Sequence, residues 1–243
     1  GGNFSTTYHA FWWNPIDGYE VLFQGGASGI NDLGDTVAGA RVQYAGGQSF
    51  GLLPLPGDLS ISAGEINNNR IAVGSSTYRF YSGCRYSRQA FVWDQFQGVR
   101  GLPALGVPSA DLANDINDAN QIVGNRSFSG SCGDFEAYLY DLDTGVHTDL
   151  HALLTGGGPG ITEANAVNDA GVVAGEGWNG SFAAGWTWSH AEGFTFLPAL
   201  KSGDRDRVTP HDLNDAGLVV GSAATNGWAD RRAFAWSPQA GMR

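Results

Sequence analysis

A single lysine (Lys201), a single methionine and two cysteines stand among 243 residues, and these scarcities narrow what the chain can do. Thirteen Lys and Arg face 24 Asp and Glu, giving a formal charge of −11. The arginines are scattered, so no basic stripe exists to neutralise phosphates, and nucleic acid and anionic membrane surfaces are poor partners. No apolar run approaches the roughly 18 to 20 residues of a membrane span, which excludes helical membrane insertion. A charged-then-apolar signal pattern is also missing at the N-terminus.

Reactive groups are as sparse. There is no GxSxG elbow, HExxH pair, phosphate loop or pair of carboxylates in a catalytic setting, so no catalytic, cofactor-binding or metal residue is expected. The five histidines (His9, His147, His151, His190 and His211) fall at different places and lack a Cys or Glu at ligand spacing. His147 and His151, with Asp149 between them, are expected on a strand with a solvated edge. The acidic string DLDTG (141–145) lacks the later carboxylates of a calcium loop and reads as a hairpin turn.

Glycine is abundant, at 37 residues, and a repeat explains it. Five segments place an apolar residue before Asn and then Asp or Asn, followed by a short apolar run and Gly. They are GINDLGDTVAG (29–39), EINNNRIAVG (65–74), DINDANQIVG (115–124), AVNDAGVVAG (166–175) and DLNDAGLVVG (212–221). From Asn31 through Asn67, Asn117 and Asn168 to Asn214 the intervals are 36, 50, 51 and 46 residues, the length of a four-stranded propeller blade. These five asparagines are read as turn residues: their side chains bond nearby backbone, and the residue three later takes a left-handed conformation. That residue is Gly34, Asn120, Gly171 or Gly217 in four copies. In the second it is Arg70, and Asn69 is expected to take the strained position instead.

Each of the last four motifs is followed by an aromatic strand with period-2 alternation: QAFVWD (89–94), EAYLYD (136–141), GWTWS (185–189) and RAFAWS (232–237). A Gly-terminated turn and an apolar segment such as GLPAL (101–105) or FLPAL (196–200) come next, the latter expected as an edge strand because it contains proline. The tryptophans on these strands are expected in the blade core. The reading is an all-β chain forming one domain over 1–243, a five-bladed β-propeller of repeats of about 46 residues.

Motifs of the form IND-x-G-x-VVG, then A-F-x-W and L-x-x-L, resemble the HAF repeats of predicted extracellular bacterial proteins, and the resemblance runs from Tyr8 to Arg243. It implies secretion or display at the cell surface and brings no enzyme activity. Arg70, a longer first copy and an abbreviated second unit depart from the pattern.

Strand counting leaves a surplus. HAFWWN (9–14), with Phe11, Trp12 and Trp13, repeats the aromatic strand carrying Phe234 and Trp236 at the other end, while the short segment from Gly39 to Leu53 leaves a strand place vacant. Closure in cis, with both termini in one blade, is favoured over exchange with a neighbouring molecule, which would generate a filament. Cys84 and Cys132 lie ten and eight residues past Gly74 and Gly124 and are candidates for a disulfide between neighbouring units, or two unrelated loop thiols. Around them Tyr78, Phe80, Tyr81, Arg85, Tyr86, Phe128 and Phe135 combine aromatic area with planar donors. The function expected is that of a non-enzymatic extracellular structural or interaction module whose partner is itself, another protein or a glycan. The alternative is a lectin.

Overall fold

The computed structural model describes residues 9–16, 18–24, 26–78, 87–103, 112–127, 135–154, 160–178, 183–199, 207–225 and 230–243. Strands β1 (His9–Asn14) and β2 (Gly18–Gln24) form a two-stranded hairpin. Five four-stranded antiparallel sheets follow, each built from consecutive strands. Blade 1 comprises β3 (Gly29–Ile30), β4 (Thr36–Ala38), β5 (Arg41–Gln43) and β6 (Ser49–Gly51). Blade 2 comprises β7 (Ser60–Ile66), β8 (Ala72–Tyr78), β9 (Ser87–Asp94) and β10 (Gly98–Gly101). In blade 3 are β11 (Leu112–Ile116), β12 (Gln121–Ser127), β13 (Phe135–Asp141) and β14 (His147–Asp149), followed by the one-turn helix α1 (Leu150–Leu153). Blade 4 holds β15 (Gly160–Val167), β16 (Val173–Trp178), β17 (Ala183–Ser189) and β18 (Gly193–Phe196), and blade 5 holds β19 (Arg207–Leu213), β20 (Val219–Thr225), β21 (Asp230–Ser237) and β22 (Gly241–Met242). The chain is a five-bladed β-propeller.

The Asn motif makes the turn between first and second strands. In every copy the Asn Oδ1 accepts the amide four residues on, at 2.8 to 3.0 Å. The third residue after the Asn has positive φ, including Arg70 at 61°. The expectation for Asn69 is thus corrected: the turn's hydrogen bonding fixes which position is left-handed, and the occupant must comply. The Gly that closes the motif has a separate cause. A Cβ on Gly74, Gly124, Gly175 or Gly221 would run into a first-strand carbonyl and the ring of Phe91, Tyr138, Trp186 or Phe234. Close approach of backbone and aromatic face therefore demands glycine.

The aromatic strand is the third of each blade. One face of it carries the ring pairs Phe91/Trp93, Tyr138/Tyr140, Trp186/Trp188 and Phe234/Trp236, all buried. These pack on aliphatic residues of the preceding blade, and four apolar cores result: blade 1 with 2, 2 with 3, 3 with 4, and 4 with 5. At about 1.5 to 3 kcal/mol per large side chain buried, these layers are the dominant stabilisation of each junction.

Four sequence expectations change. The short segment after Gly39 leaves no vacancy, because β5 and β6 fill it with three residues each. The two terminal aromatic strands do not share a blade: among the described residues β21 lies in a complete sheet, and β1 pairs only with β2. The described parts of the LPAL segments, 102–103 and 197–199, are not strands. β10 and β18 stop at Gly101 and Phe196, before prolines that cannot donate to a ladder, while Leu102 and Leu197 drop into the inter-blade cores. The strand at His147 ends at Asp149, which caps α1 by accepting from Ala152 N, so His151 lies on a helical turn.

Candidate functional site

The five Asn motifs ring a cavity of about 350 Å³ lined by the first strand and following turn of every blade. A hydrogen-bond ladder runs around it. Asn31 Nδ2 donates to the Asn67 carbonyl, Asn67 to Asn117, Asn117 to Asn168 and Asn168 to Asn214, at 2.8 to 3.1 Å. One residue on, the amides of Asp32, Asn68, Asp118 and Asp169 donate to Oδ1 of Asn68, Asp118, Asp169 and Asp215. The sequence reading of these asparagines as turn formers holds but is incomplete: the same side chain that shapes its own turn ties its blade to the next.

Two residues before each Asn stand Gly29, Glu65, Asp115, Ala166 and Asp212. Glu65, Asp115 and Asp212 thus join Asp32, Asp118, Asp169 and Asp215 in lining the cavity. Asp115 accepts from Ile116 N and, across the junction, Val167 N, each at 2.7 Å, and Asp212 accepts from Leu213 N. Glu65 Oε2 is buried with no partner and fills the space above Gly29. Burial, with the charges of Asp115 and Asp212 behind it, pushes the Glu65 carboxyl up to about 9. Burial likewise raises Asp115 to about 6, against two backbone donors that pull it down. Among the described residues no three His, Cys, Asp or Glu side chains converge as metal ligands, so this acidic ring carries electrostatic tension without a coordination geometry.

A second cavity, of about 150 Å³, is lined by Arg207, Thr209, Ser222, Ala224 and Arg231. Arg207 and Thr209 both donate to Glu176, and Arg231 donates to Ser222. The carboxylate already compensates positive charge there.

The interaction residues read from sequence separate. Tyr78 is exposed at the end of β8 and Phe135 is half-buried at the start of β13. Phe80, Tyr81, Arg85, Tyr86, Phe128, Cys84 and Cys132 lie outside the described residues, as does the proposed disulfide. Phe234 and Trp236 are core. Trp12 lies in β1, but Phe11 and Trp13 are 65% and 61% exposed, and for Trp13 this corrects the blade-core place expected of the strand tryptophans. They correspond by sequence to Phe91 and Trp93 and have no preceding blade face to meet. Across the hairpin they pair with Val21 and Tyr19, also exposed, so one face of β1–β2 is a continuous apolar patch. A sequence signal for this existed in the surplus aromatic strand.

No family profile and no curated protein matches the chain. Among solved structures it is similar to a putative TolB from Agrobacterium tumefaciens, with 13% identity and a TM-score of 0.60 over 93% of this chain and 83% of that one. It is similar also to the β-propeller domain of the Trilobed protease from Pyrococcus furiosus, described as having an open velcro topology. There the identity is 10% and the TM-score 0.66, over 100% of this chain and 77% of that one. At such identities the likeness shows the β-propeller fold.

Proposed function

We propose that the protein is a secreted, non-enzymatic β-propeller that works as an interaction module and recognises protein partners, itself included, through the β1–β2 hairpin. One observation carries this reading: the ring pair Phe11/Trp13 is exposed where its four counterparts are buried. Aromatic side chains give large contact area at low entropic cost and concentrate binding energy at interfaces. The unpaired edge of β1 adds backbone donors and acceptors to the same surface. Used head to tail, it builds a filament. The HAF resemblance supports an extracellular setting.

Sedimentation velocity over a wide concentration range tests this. The wild type is expected to associate, and a Phe11→Ser/Trp13→Ser double variant to remain monomeric with unchanged circular dichroism. A wild type that stays monomeric throughout, or a variant that associates equally, overturns self-recognition through this face.

A further inference from the structure

The ladder that links blades 1 to 5 has two loose ends. At the blade 5 end, Asn214 Nδ2 and the Asp215 amide, which by analogy with Asn31, Asn67, Asn117 and Asn168 and their following amides should each reach a next blade, find no acceptor among the described residues. At the blade 1 end, the Asn31 carbonyl and Asp32 Oδ1 receive no bond from a preceding blade, whereas Asn67, Asn117, Asn168 and Asn214 all do. Donors therefore stand on one side of the seam and acceptors on the other, in the order the repeat uses four times.

The walls of the seam are open as well. Ile30 is 49% exposed, while its counterparts Ile66, Ile116, Val167 and Leu213 are buried. On the other side Val220 is 40% exposed, while Val37, Val73, Val123 and Ala174 are buried. No apolar core joins blade 5 to blade 1 among the described residues, although four such cores join the other blades. Further out, blade 1 places Arg41 and Gln43 where the other blades place their ring pairs, so the outer half of this face needs no cover. What lacks a neighbour is the inner half.

Topology says what fits. Among the described residues, third and fourth strands occur six times, as β1–β2, β5–β6, β9–β10, β13–β14, β17–β18 and β21–β22, but the first-and-second-strand hairpin with its Asn turn occurs five times. We infer that the seam between blades 5 and 1 is a receptor for one more hairpin of this kind. The occupant is a two-stranded segment with the pattern apolar-Asn-Asp-x-Gly-x-Val-x-Gly, which the repeat chemistry on both sides of the seam selects. Its Asn and Asp would accept from Asn214 Nδ2 and Asp215 N and donate to Asn31 O and Asp32 Oδ1. Its apolar residues would cover Ile30 and Val220, and its second strand can take the free edge of β1. This is strand addition with side-chain registration supplied by the ladder. It uses the inner seam and not the aromatic face of β1–β2, so it goes beyond the function proposed above.

The probe is a synthetic peptide of residues 160–178, which spans β15 and β16 with the turn at Asn168, titrated calorimetrically into the full chain. Saturable one-to-one binding is expected. A peptide with Asn168→Asp keeps the turn acceptor but loses the Nδ2 donor, and is expected to bind roughly tenfold more weakly. Ile30→Glu and Val220→Glu, at exposed sites that leave the fold intact, should weaken the native peptide by at least about tenfold. The Phe11→Ser/Trp13→Ser variant should bind it undiminished, which separates this inference from self-recognition. Absence of binding, equal affinity for both peptides, or indifference to both wall substitutions overturns it. Binding that disappears as protein concentration rises assigns the seam to a second copy and overturns the assignment to a sixth hairpin.

Discussion

Arg70, held at φ 61° in blade 2, donates Nε to the fully buried carboxylate of Asp35 in blade 1 at 2.8 Å. The guanidinium also lies 4.1 Å from the centroid of the Tyr44 ring. Burial pushes the Asp35 carboxyl up, but Arg70, the Ala45 amide and Asn31 outweigh it and hold it below the ordinary value. The one turn without Gly or Asn at its left-handed position thus exchanges local strain for a bond across the junction.

Replacing Arg70 by Gly tests that balance. Relief of the left-handed conformation favours the substitution, whereas leaving the buried Asp35 carboxylate without its cation opposes it, less strongly than in a fully buried pair because Arg70 is partly exposed. Net destabilisation, seen as a lower midpoint in urea melts, is expected. A more stable Arg70→Gly protein would show the ion pair to be incidental. Because Asp35 is held low, its contribution is present above the unfolded-state value and is lost as pH falls through the folded one.

The axial acids have the opposite sign. Glu65 is raised from 4.5 to about 9, so the folded state holds a proton that the unfolded chain has released. Its neutral form is fully favourable below the unfolded value, and stability declines as pH rises from about 4.5 toward about 9. The slope from this one group is at most about 1.4 kcal/mol per pH unit. Glu65→Gln should flatten the profile and raise stability at pH 8, measured by denaturant melts at several pH values. A profile unchanged by the substitution removes Glu65 as its source.

The ladder predicts unequal effects from equal substitutions. Asn117 is buried, holds its own turn and donates to Asn168, whereas Asn214 is exposed and holds only its turn. Asn117→Ala should cost about 1 to 3 kcal/mol more than Asn214→Ala. Equal losses in thermal melts would mean that the turn alone accounts for the conserved chemistry of the motif.

Gly175→Ala places a methyl against the Glu163 carbonyl and the edge of Trp186. Overpacking of this kind costs about 1 to 3 kcal/mol, while the same change at Gly46, which has open space around it, should cost little. Paired melting temperatures check the contrast, and similar shifts at both sites would refute it.

Much of the blade was legible from periodicity alone. The order of motif, aromatic strand and Gly turn reports residues that must bend, alternate or admit a ring, and DLDTG forms the hairpin turn expected of it, with Asp141 accepting from Thr144. The LPAL segments read as edge strands from their apolar residues, but Leu102 and Leu197 reach the cores from backbone outside any strand. The exposure of Phe11 and Trp13 could not be read from HAFWWN itself, which shares Ala-Phe-x-Trp with the buried strands QAFVWD and RAFAWS, and only the surplus in the strand count pointed to it.

What the sequence determined by itself is the unit: five Asn-turned hairpins, each with an apolar face too large to leave in water, because turn chemistry and alternation act over a few neighbours. Which units find a neighbour was decided only by tertiary structure. Ile30 and Ile66, or Asn168 and Asn214, are equivalent in sequence, yet one of each pair is covered and the other is not, since burial depends on what lies across the junction and not on the strand that carries the residue.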